Sequence, residues 1–363
     1  VIPYRAEFIQ WDTYGTQGYF DVEYSVDNGN PPLLFTNLVE SEGHKAAVNV
    51  LTRERICNTF DITPGELIDT MAWAMKNPSE PIIIGKEEAS VMDNTQKEVN
   101  LEIIPIPWHY KEDKGRYQSA SVIIAEYEGI RNMSFHRQYL RDKNHTVSRF
   151  VPRHLRTMMD KAQENGEEVS IAVVNAPDTV VLLAAAMSFN EPLDELKVAA
   201  SLHQKLHGRP LKLVKLDNGI AVPADAEYAM EARITLEYDD EGPYVDITGT
   251  VDGVRQEPVI EYDALHHRNN PIFHALIQAE VEHRTLMGMP RAPTIKAAVS
   301  AVVPCTDVYL TDGGCGWLSS VVQIDPKNEG DGVKAIHAAL NGHKSMKQVI
   351  VVDKDIDLSL IHI

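Results

Sequence analysis

Cysteine is scarce in this 363-residue chain: Cys57, Cys305 and Cys315 stand far apart, and neither CxxC nor any Cys/His zinc spacing occurs. That excludes a disulfide framework and a finger-type structural zinc, and it suits a reducing cytoplasm. Basic charge is short as well, with 34 Lys+Arg against 53 Asp+Glu and a formal net charge of −19. No block of lysines or arginines interrupts the deficit, which argues against nucleic-acid binding. Long apolar runs are missing too. The most apolar stretch, SIAVVNAPDTVVLLAAAM (170–187), is broken by Asn175, Pro177 and Asp178 and reads as strand, turn and helix, not as a membrane span. The opening VIPYRAEFIQWD has neither the basic region nor the apolar core of a signal peptide. Walker A, GxGxxG, HExxH and GxSxG are absent, and DGGCGW (312–317) lacks the Rossmann spacing. Cys315 within it reads as a small buried thiol in a Gly-rich turn before it reads as a nucleophile.

What is present describes an ordinary globular protein: 44% hydrophobic and 24% charged residues over a length that suits two or three domains. Residues 1–110 mix a strand (PLLFTNL), a helix after Pro64 (GELIDTMAWAMKN) and the strand PIIIG, an N-terminal α/β domain. LEIIPIPWHYKEDKGRY (101–117) is the proline-rich boundary. Residues 111–295 turn strand-rich, with helices at RHLRTMMDKAQENG, DTVVLLAAAMSF and PLDELKVAASLHQKLHG, which suggests a β-barrel with helical insertions. Residues 296–363 alternate β-α-β as an α/β layer. The ending DIDLSLIHI stops where another element is due, so a truncated C-terminus is expected.

Two stretches carry the candidate chemistry. In RNMSFHRQYLRDKNHTVSRFVPRHLRTMM (131–159), strand register puts Asn132, Ser134 and His136 on one face and Met133, Phe135 and Arg137 on the other. An arginine among apolar neighbours suggests a buried anion partner, although a stem lying on apolar surface with its head in water is the commoner arrangement and the one to start from. His154 begins a helix, where the positive end of the dipole lies, and Glu195 in NEPLDELKV suits a first helical turn. Asn, His and a carboxylate make a hard-cation set for Mg²⁺ or Mn²⁺, but spacing does not establish that they converge. In EYDDEGPYVDITG (237–249), Asp239 and Asp240 are turn acids, whereas Asp246 falls in a mid-strand position after Gly-Pro.

RNMSFHRQYLRDKNHTVSRFVPRHL resembles the Asn-x-Ser-x-His-Arg segment of the UbiD-type decarboxylases, which use prenylated FMN. IIPIPWHYKEDKGRYQSASVIIA, VVNAPDTVVLLAAAM, AVPADAEYAMEARI, DDEGPYVDITG, HHRNNPIFHAL, EHRTLMGMPRAPT and VVQIDPKNEGDGVKAIHAAL continue the resemblance in order over roughly residues 100 to 357. It implies a multidomain α+β fold in which a central flavin reductase-like split β-barrel binds the cofactor, with α/β units on either side. Asn132, His154 and Glu195 would hold Mn²⁺ against the cofactor phosphate. Asn132, Met133, Ser134, Phe135, His136 and Arg137, with Arg153, His154 and Met187, would line prenylated FMN. Met187 and the Ala184–Ala186 run would flank it or a K⁺ site. Arg137, Glu241 and Asp246 would be the catalytic Arg-Glu-acid triad, with Asp246 as proton donor, Glu241 as its partner, and Arg137 orienting substrate and cofactor.

The chemistry suits these residue types. Loss of CO₂ from an sp² carbon leaves a carbanion that no side chain delocalises, so an organic electron sink is needed. A guanidinium binds a planar carboxylate in a bidentate fork, and two acids sharing an arginine can hold different protonation states. EHRTLMGMPRAPTI and TDGGCGWLSSVVQI are most similar to the archaeal branch, whose substrate is trans-anhydromevalonate 5-phosphate in isoprenoid synthesis. Relatives act on prenylated 4-hydroxybenzoate in quinone synthesis. A phosphorylated acid needs a basic pocket, to which Arg268, Arg284 and Arg291 are candidates. The family further implies a flavin prenyltransferase as cofactor supplier and a homo-oligomer, dimer or hexamer, built through the C-terminal unit. A flavin oxidoreductase and a non-catalytic assembly subunit are the rival classes; the paired acids disfavour the first, since hydride transfer needs none.

Overall fold

The computed structural model describes residues 31–38, 40–188 and 193–358. The opening VIPYRAEFIQWD, residues 189–192 and the last residues of DIDLSLIHI lie outside the described residues. β1 (Leu33–Phe35) and β2 (Lys45–Val48) lead into α1 (Arg53–Phe60) and α2 (Pro64–Lys76). α2 begins where Thr63 and Glu66 close a capping box and Pro64 occupies the first turn, where a missing N–H costs nothing. β3 (Ile82–Ile84), β4 (Asn94–Gln96), β5 (Tyr117–Gln118), β6 (Val122–Tyr127), β7 (Ile130–Phe135), β8 (Gln138–Leu140) and β9 (His145–Ser148) follow. Next come α3 (His154–Glu164), β10 (Val169–Asn175), α4 (Thr179–Ala186) and α5 (Glu195–His207). β11 (Lys212–Lys215), β12 (Ala221–Pro223), β13 (Tyr228–Glu241), β14 (Tyr244–Val245), β15 (Val251–Asp252), β16 (Arg255–His267) and β17 (Ile272–His274) form the next run. The last elements are α6 (Val281–Gly288), α7 (Ala292–Ser300), β18 (Cys305–Leu310), β19 (Ser319–Ile324), α8 (Asp331–Gly342) and β20 (Gln348–Asp353).

The centre is a nine-stranded sheet with path β5-β8-β9-β16-β13-β10-β6-β7 and β4 beside β16, antiparallel throughout. Its middle strands are buried on both faces. In β6, Val122 and Ile124 join the core of α1, α2, α4 and α5, while Ile123 and Ala125 join the core that holds α3. That double burial is why VIIA and SIAVV are continuous apolar runs with no two-residue alternation. β3 pairs in parallel with β11 and β4 pairs with β16, so residues on either side of 110 share sheets. At the C-terminal end, β18, β19 and β20 form the expected layer, with α8 crossing between the parallel pair β19 and β20. No helix among the described residues is long and apolar enough to cross a membrane.

Four expectations are corrected. Asp239 and Asp240 are not turn acids but lie near the end of β13, opposite Glu257 and Gln256 of β16. β7 ends at Phe135, so Arg137 stands just beyond the strand and not on its apolar face. YVDITGTVDG is not one strand but the short hairpin β14–β15, and Asp246 opens the turn between them. Cys315 is half-buried in a left-handed turn position, not fully buried. The long strand β16 had no legible signal because Pro258 sits inside it, and an internal proline argues against a central strand. The pairing with β13 becomes irregular there, between Ile234 and Tyr238, and this accommodates the missing N–H.

Candidate functional site

Arg137 is the hub of the site. Its Nε and Nη2 donate to Oε1 and Oε2 of Glu241 at 2.9 and 2.8 Å, a bidentate fork. Nη1 reaches Oδ2 of Asp246 at 3.4 Å, Nη2 reaches Oδ2 of Asp252 at 3.0 Å, and the guanidinium lies 4.5 Å from the ring centre of Tyr244. The three sequence-predicted catalytic residues therefore meet. Burial alone would lower the arginine's pKa, but Glu241 outweighs it and holds the guanidinium charged. Glu241 is fully buried at 0% exposure, whereas the Asp246 side chain is 45% exposed. One acid is locked to the arginine and the other looks outward.

Neighbours that sequence reasoning missed set this geometry. The Tyr117 hydroxyl donates to Oε1 of Glu241 at 3.1 Å and accepts the Gly242 N–H at 3.1 Å. Burial and then Glu241 push the phenol pKa up, so it stays a donor. Gly242 has φ +89, and a Cβ there would meet the Gly253 carbonyl oxygen at 2.7 Å, so only glycine lets the two strand ends approach. Asp252 is the third acid on the arginine; Arg255 donates to its other oxygen at 2.7 Å. Burial would raise its pKa, but Arg255 and then Arg137 bring it to about 2, so it stays ionised. In sequence, Asp252-Gly253 reads only as a turn.

Asp113 holds the Asp246 turn from behind. Its Oδ1 accepts the Val245 N–H at 2.8 Å, and its Oδ2 accepts Nε2 of Gln278 at 2.6 Å and the Tyr110 N–H at 3.2 Å. Burial raises its pKa from 3.8 to about 6 against those donors. Between these values the folded protein keeps a proton that the unfolded chain has released. The resulting stability is complete below 3.8 and is lost as pH rises through about 6. The unfolding free energy of the native chain relative to Asp113→Asn should therefore fall across that window and level off above it. Urea denaturation at several pH values checks this; a pH-independent difference would contradict it.

A second group lies on the edge strand β7. The Met133 N–H, which an edge strand leaves unpaired, donates to Oε2 of Glu195 at 2.8 Å, and Nδ2 of Asn132 donates to Oε1 at 2.9 Å. Glu195 is buried, and among the described residues no cation pairs with it; burial pushes its pKa up to about 8. Ser134 Oγ lies 3.1 Å from Oδ1 of Asn132 and 2.9 Å from Nε2 of His136, with one hydrogen for both. Burial, then Arg153, lowers His136 to about 4, so the ring is neutral. Its Nδ1 faces the Arg149 carbonyl at 3.2 Å and must carry the hydrogen, so Nε2 takes the serine's. Asn132 Oδ1 is thereby left with a free lone pair beside a buried carboxyl that keeps its proton near neutral pH, a pair of oxygen ligands that a hard divalent cation would take on displacing that proton. His154 enters from another element, at the first position of α3 behind Arg153, and no hydrogen bond ties it to this pair. Phe135 is half-buried against the core, and Met187 is buried at the end of α4.

A third group is an anion-shaped gap in charge. Arg291 is buried, and among the described residues its Nε and Nη1 have no hydrogen-bond partner. Burial and the nearby Arg153 hold it down to about 9. Its guanidinium lies 5.0 Å from the centre of the Trp317 ring, which stacks edgewise on His343. DGGCGW thus serves to deliver Trp317. The turn fits because Gly288 and Gly316 pass each other: a Cβ on Gly288 would meet the Gly316 oxygen at 2.1 Å. Of the other arginines considered for a phosphate pocket, Arg268 pairs with Glu227 at 3.3 Å, while Nε of Arg284 has no partner among the described residues.

The family described as 3-octaprenyl-4-hydroxybenzoate carboxy-lyase (UbiD), Rift-related domain, matches residues 83–280, and its C-terminal domain matches 284–361. An anhydromevalonate phosphate decarboxylase of Methanocaldococcus jannaschii is 38% identical over 87% of this chain and 74% of its own length. One of Methanosarcina mazei is 38% identical over 90% and 75%. An evolved dimeric form of the UbiD-class enzyme HmfF from Pelotomaculum thermopropionicum, in complex with prFMN, superposes with a TM-score of 0.89 at 29% identity, covering 94% of this chain and 81% of that one.

Proposed function

The chain belongs to the UbiD family of carboxy-lyases, and on that premise we propose that it decarboxylates trans-anhydromevalonate 5-phosphate with prenylated FMN in isoprenoid synthesis. The observation that carries the reading is the Arg137 hub, in which Glu241 is bound in a fork and Asp246 is left partly exposed. In the same reading residues 111–295 form a split-barrel cofactor unit between an N-terminal unit, 1–110, and a C-terminal unit, 296–363, through which copies would assemble.

The residues fit the cofactor. Asn132 and Glu195, joined by His154, would hold Mn²⁺ or Mg²⁺, and Arg291 with Arg153 offers unpartnered N–H groups and positive charge to phosphate oxygens. A K⁺ site would lie beside Met187. When bound, prenylated FMN supplies the electron sink that loss of CO₂ requires. The protein does the rest. Arg137, held by Glu241 and Asp252, has one Nη1 N–H left over beside Asp246 to offer to the substrate carboxylate. Asp246 carries the proton that replaces CO₂ and, being partly exposed, reloads from solvent.

Expression with and without a flavin prenyltransferase tests the reading. Coloured protein that releases CO₂ from trans-anhydromevalonate 5-phosphate in preference to 4-hydroxybenzoate is expected only from the first culture. Colourless protein inactive on unsaturated acids from both, or NAD(P)H oxidation, would contradict it. Arg291→Met should leave the apo-protein at least as stable, because it removes a buried guanidinium with unmet donors. It should weaken FMN binding by on the order of 10- to 100-fold, the loss of charge-assisted bonds. A fluorescence titration with FMN checks this.

A further inference from the structure

Another cluster lies at the opposite end of α4 from Met187 and has no part in the chemistry above. Asp178 is the N-cap of α4, where Oδ1 accepts the Val180 N–H at 2.9 Å. His203 and His207 are one helical turn apart on α5 and project from the same face. Nε2 of His207 lies 3.2 and 3.0 Å from the two carboxylate oxygens of Asp178, and the two imidazole centres are 4.6 Å apart. One ligand-type atom from each of Asp178, His203 and His207 lies within 4.8 Å of the others. His203 is buried, and its Nδ1 stands 2.8 Å from the Arg209 carbonyl oxygen, which can only accept. The hydrogen is therefore on Nδ1, and Nε2 keeps its lone pair. That is the tautomer of a ligating histidine, fixed by an outer-shell carbonyl.

We propose that Asp178, His203 and His207 bind a divalent cation of the zinc class, with water completing the coordination. Two imidazoles and one carboxylate suit Zn²⁺, Co²⁺ or Ni²⁺ and are a poor set for Mg²⁺ or Ca²⁺, which take oxygen ligands. Bond lengths of about 2.0–2.1 Å require the ligand atoms to draw closer than they stand here, a movement of side chains and not of helices. Asp178 and His207 are only half-buried, which leaves water a way in. The ion would clamp the start of α4 to the end of α5, the far ends of the two helices that carry Met187 and Glu195. Phe60, the last residue of α1, packs edgewise on His207 at 5.3 Å, so a third helix is tied to the same point. At about 1.5 Å per residue, α5 separates this site from Glu195 by most of its length. The inference stands independently of the decarboxylase reading.

The full chain, stripped by a chelator, is titrated with Co²⁺ and followed by visible d–d absorption; Zn²⁺ is then added as competitor. Saturable absorption that Zn²⁺ displaces is expected in the native protein and in Glu195→Gln. His203→Gln and His207→Gln should each weaken it by more than about tenfold. Asp178→Asn keeps the helix cap, since asparagine caps as well as aspartate, and should fold normally yet lose Co²⁺ affinity to a similar degree. Zn²⁺ should raise Tm in the native chain and not in Asp178→Asn. Equal Co²⁺ absorption in the native chain and Asp178→Asn, no saturable binding, or loss of binding only in Glu195→Gln would overturn the proposal.

Discussion

Changing Asp246 to asparagine should cut kcat by ~10²–10⁴-fold, the usual worth of a positioned general acid, with little effect on KM. Stability should move by less than about 0.5 kcal/mol, because the side chain is 45% exposed and its contact with Arg137 is a long 3.4 Å. Asparagine keeps the shape and the carbonyl oxygen that faces Nη1 and removes only the transferable proton. Single-turnover CO₂ release with loaded enzyme separates the proton step from product release. A variant with native rate would remove Asp246 from the chemistry.

The second large effect is on stability. Arg137→Met should cost roughly 3–5 kcal/mol, since it strips the countercharge from a fully buried Glu241. Asp252 loses a partner as well, but Arg255 still holds it. Adding Glu241→Gln to Arg137→Met should recover part of the loss, because the orphaned charge disappears with it. Urea unfolding of the two variants beside Asp246→Asn checks the contrast. A cost for Arg137→Met no larger than for Asp246→Asn would mean the fork carries little of the fold.

The contrast between Glu241 and Asp246 also marks how far the amino-acid order alone could reach. Gly242-Pro243 announced a bend, but the meeting of Arg137, Glu241 and Asp246 was legible only through the family resemblance, because Arg137 lies beyond β7 and the local pattern fits a solvated arginine. The strand–turn–helix at 170–187 was legible as well, because Asp178 caps where the apolar run breaks. Tyr117, Asp113 and Asp252 were not, for physical reasons: each is an ordinary residue type in a turn or a short strand, and only tertiary pairing gives it a task. β16 was hidden by Pro258, whose cost is absorbed by an irregular register that no local pattern displays. Arg291 and Arg268 looked alike as candidates; their surroundings separated them, leaving Nε and Nη1 of one without partners among the described residues and the other in a partly buried ion pair.

The most direct test compares CO₂ release from trans-anhydromevalonate 5-phosphate by native and Asp246→Asn proteins, both loaded with prenylated FMN to the same spectroscopic content. The account predicts rapid release by the native protein and loss on the order of 10²-fold or more in the variant at unchanged cofactor content. Equal release by the two proteins, or none from the loaded native protein, would contradict it.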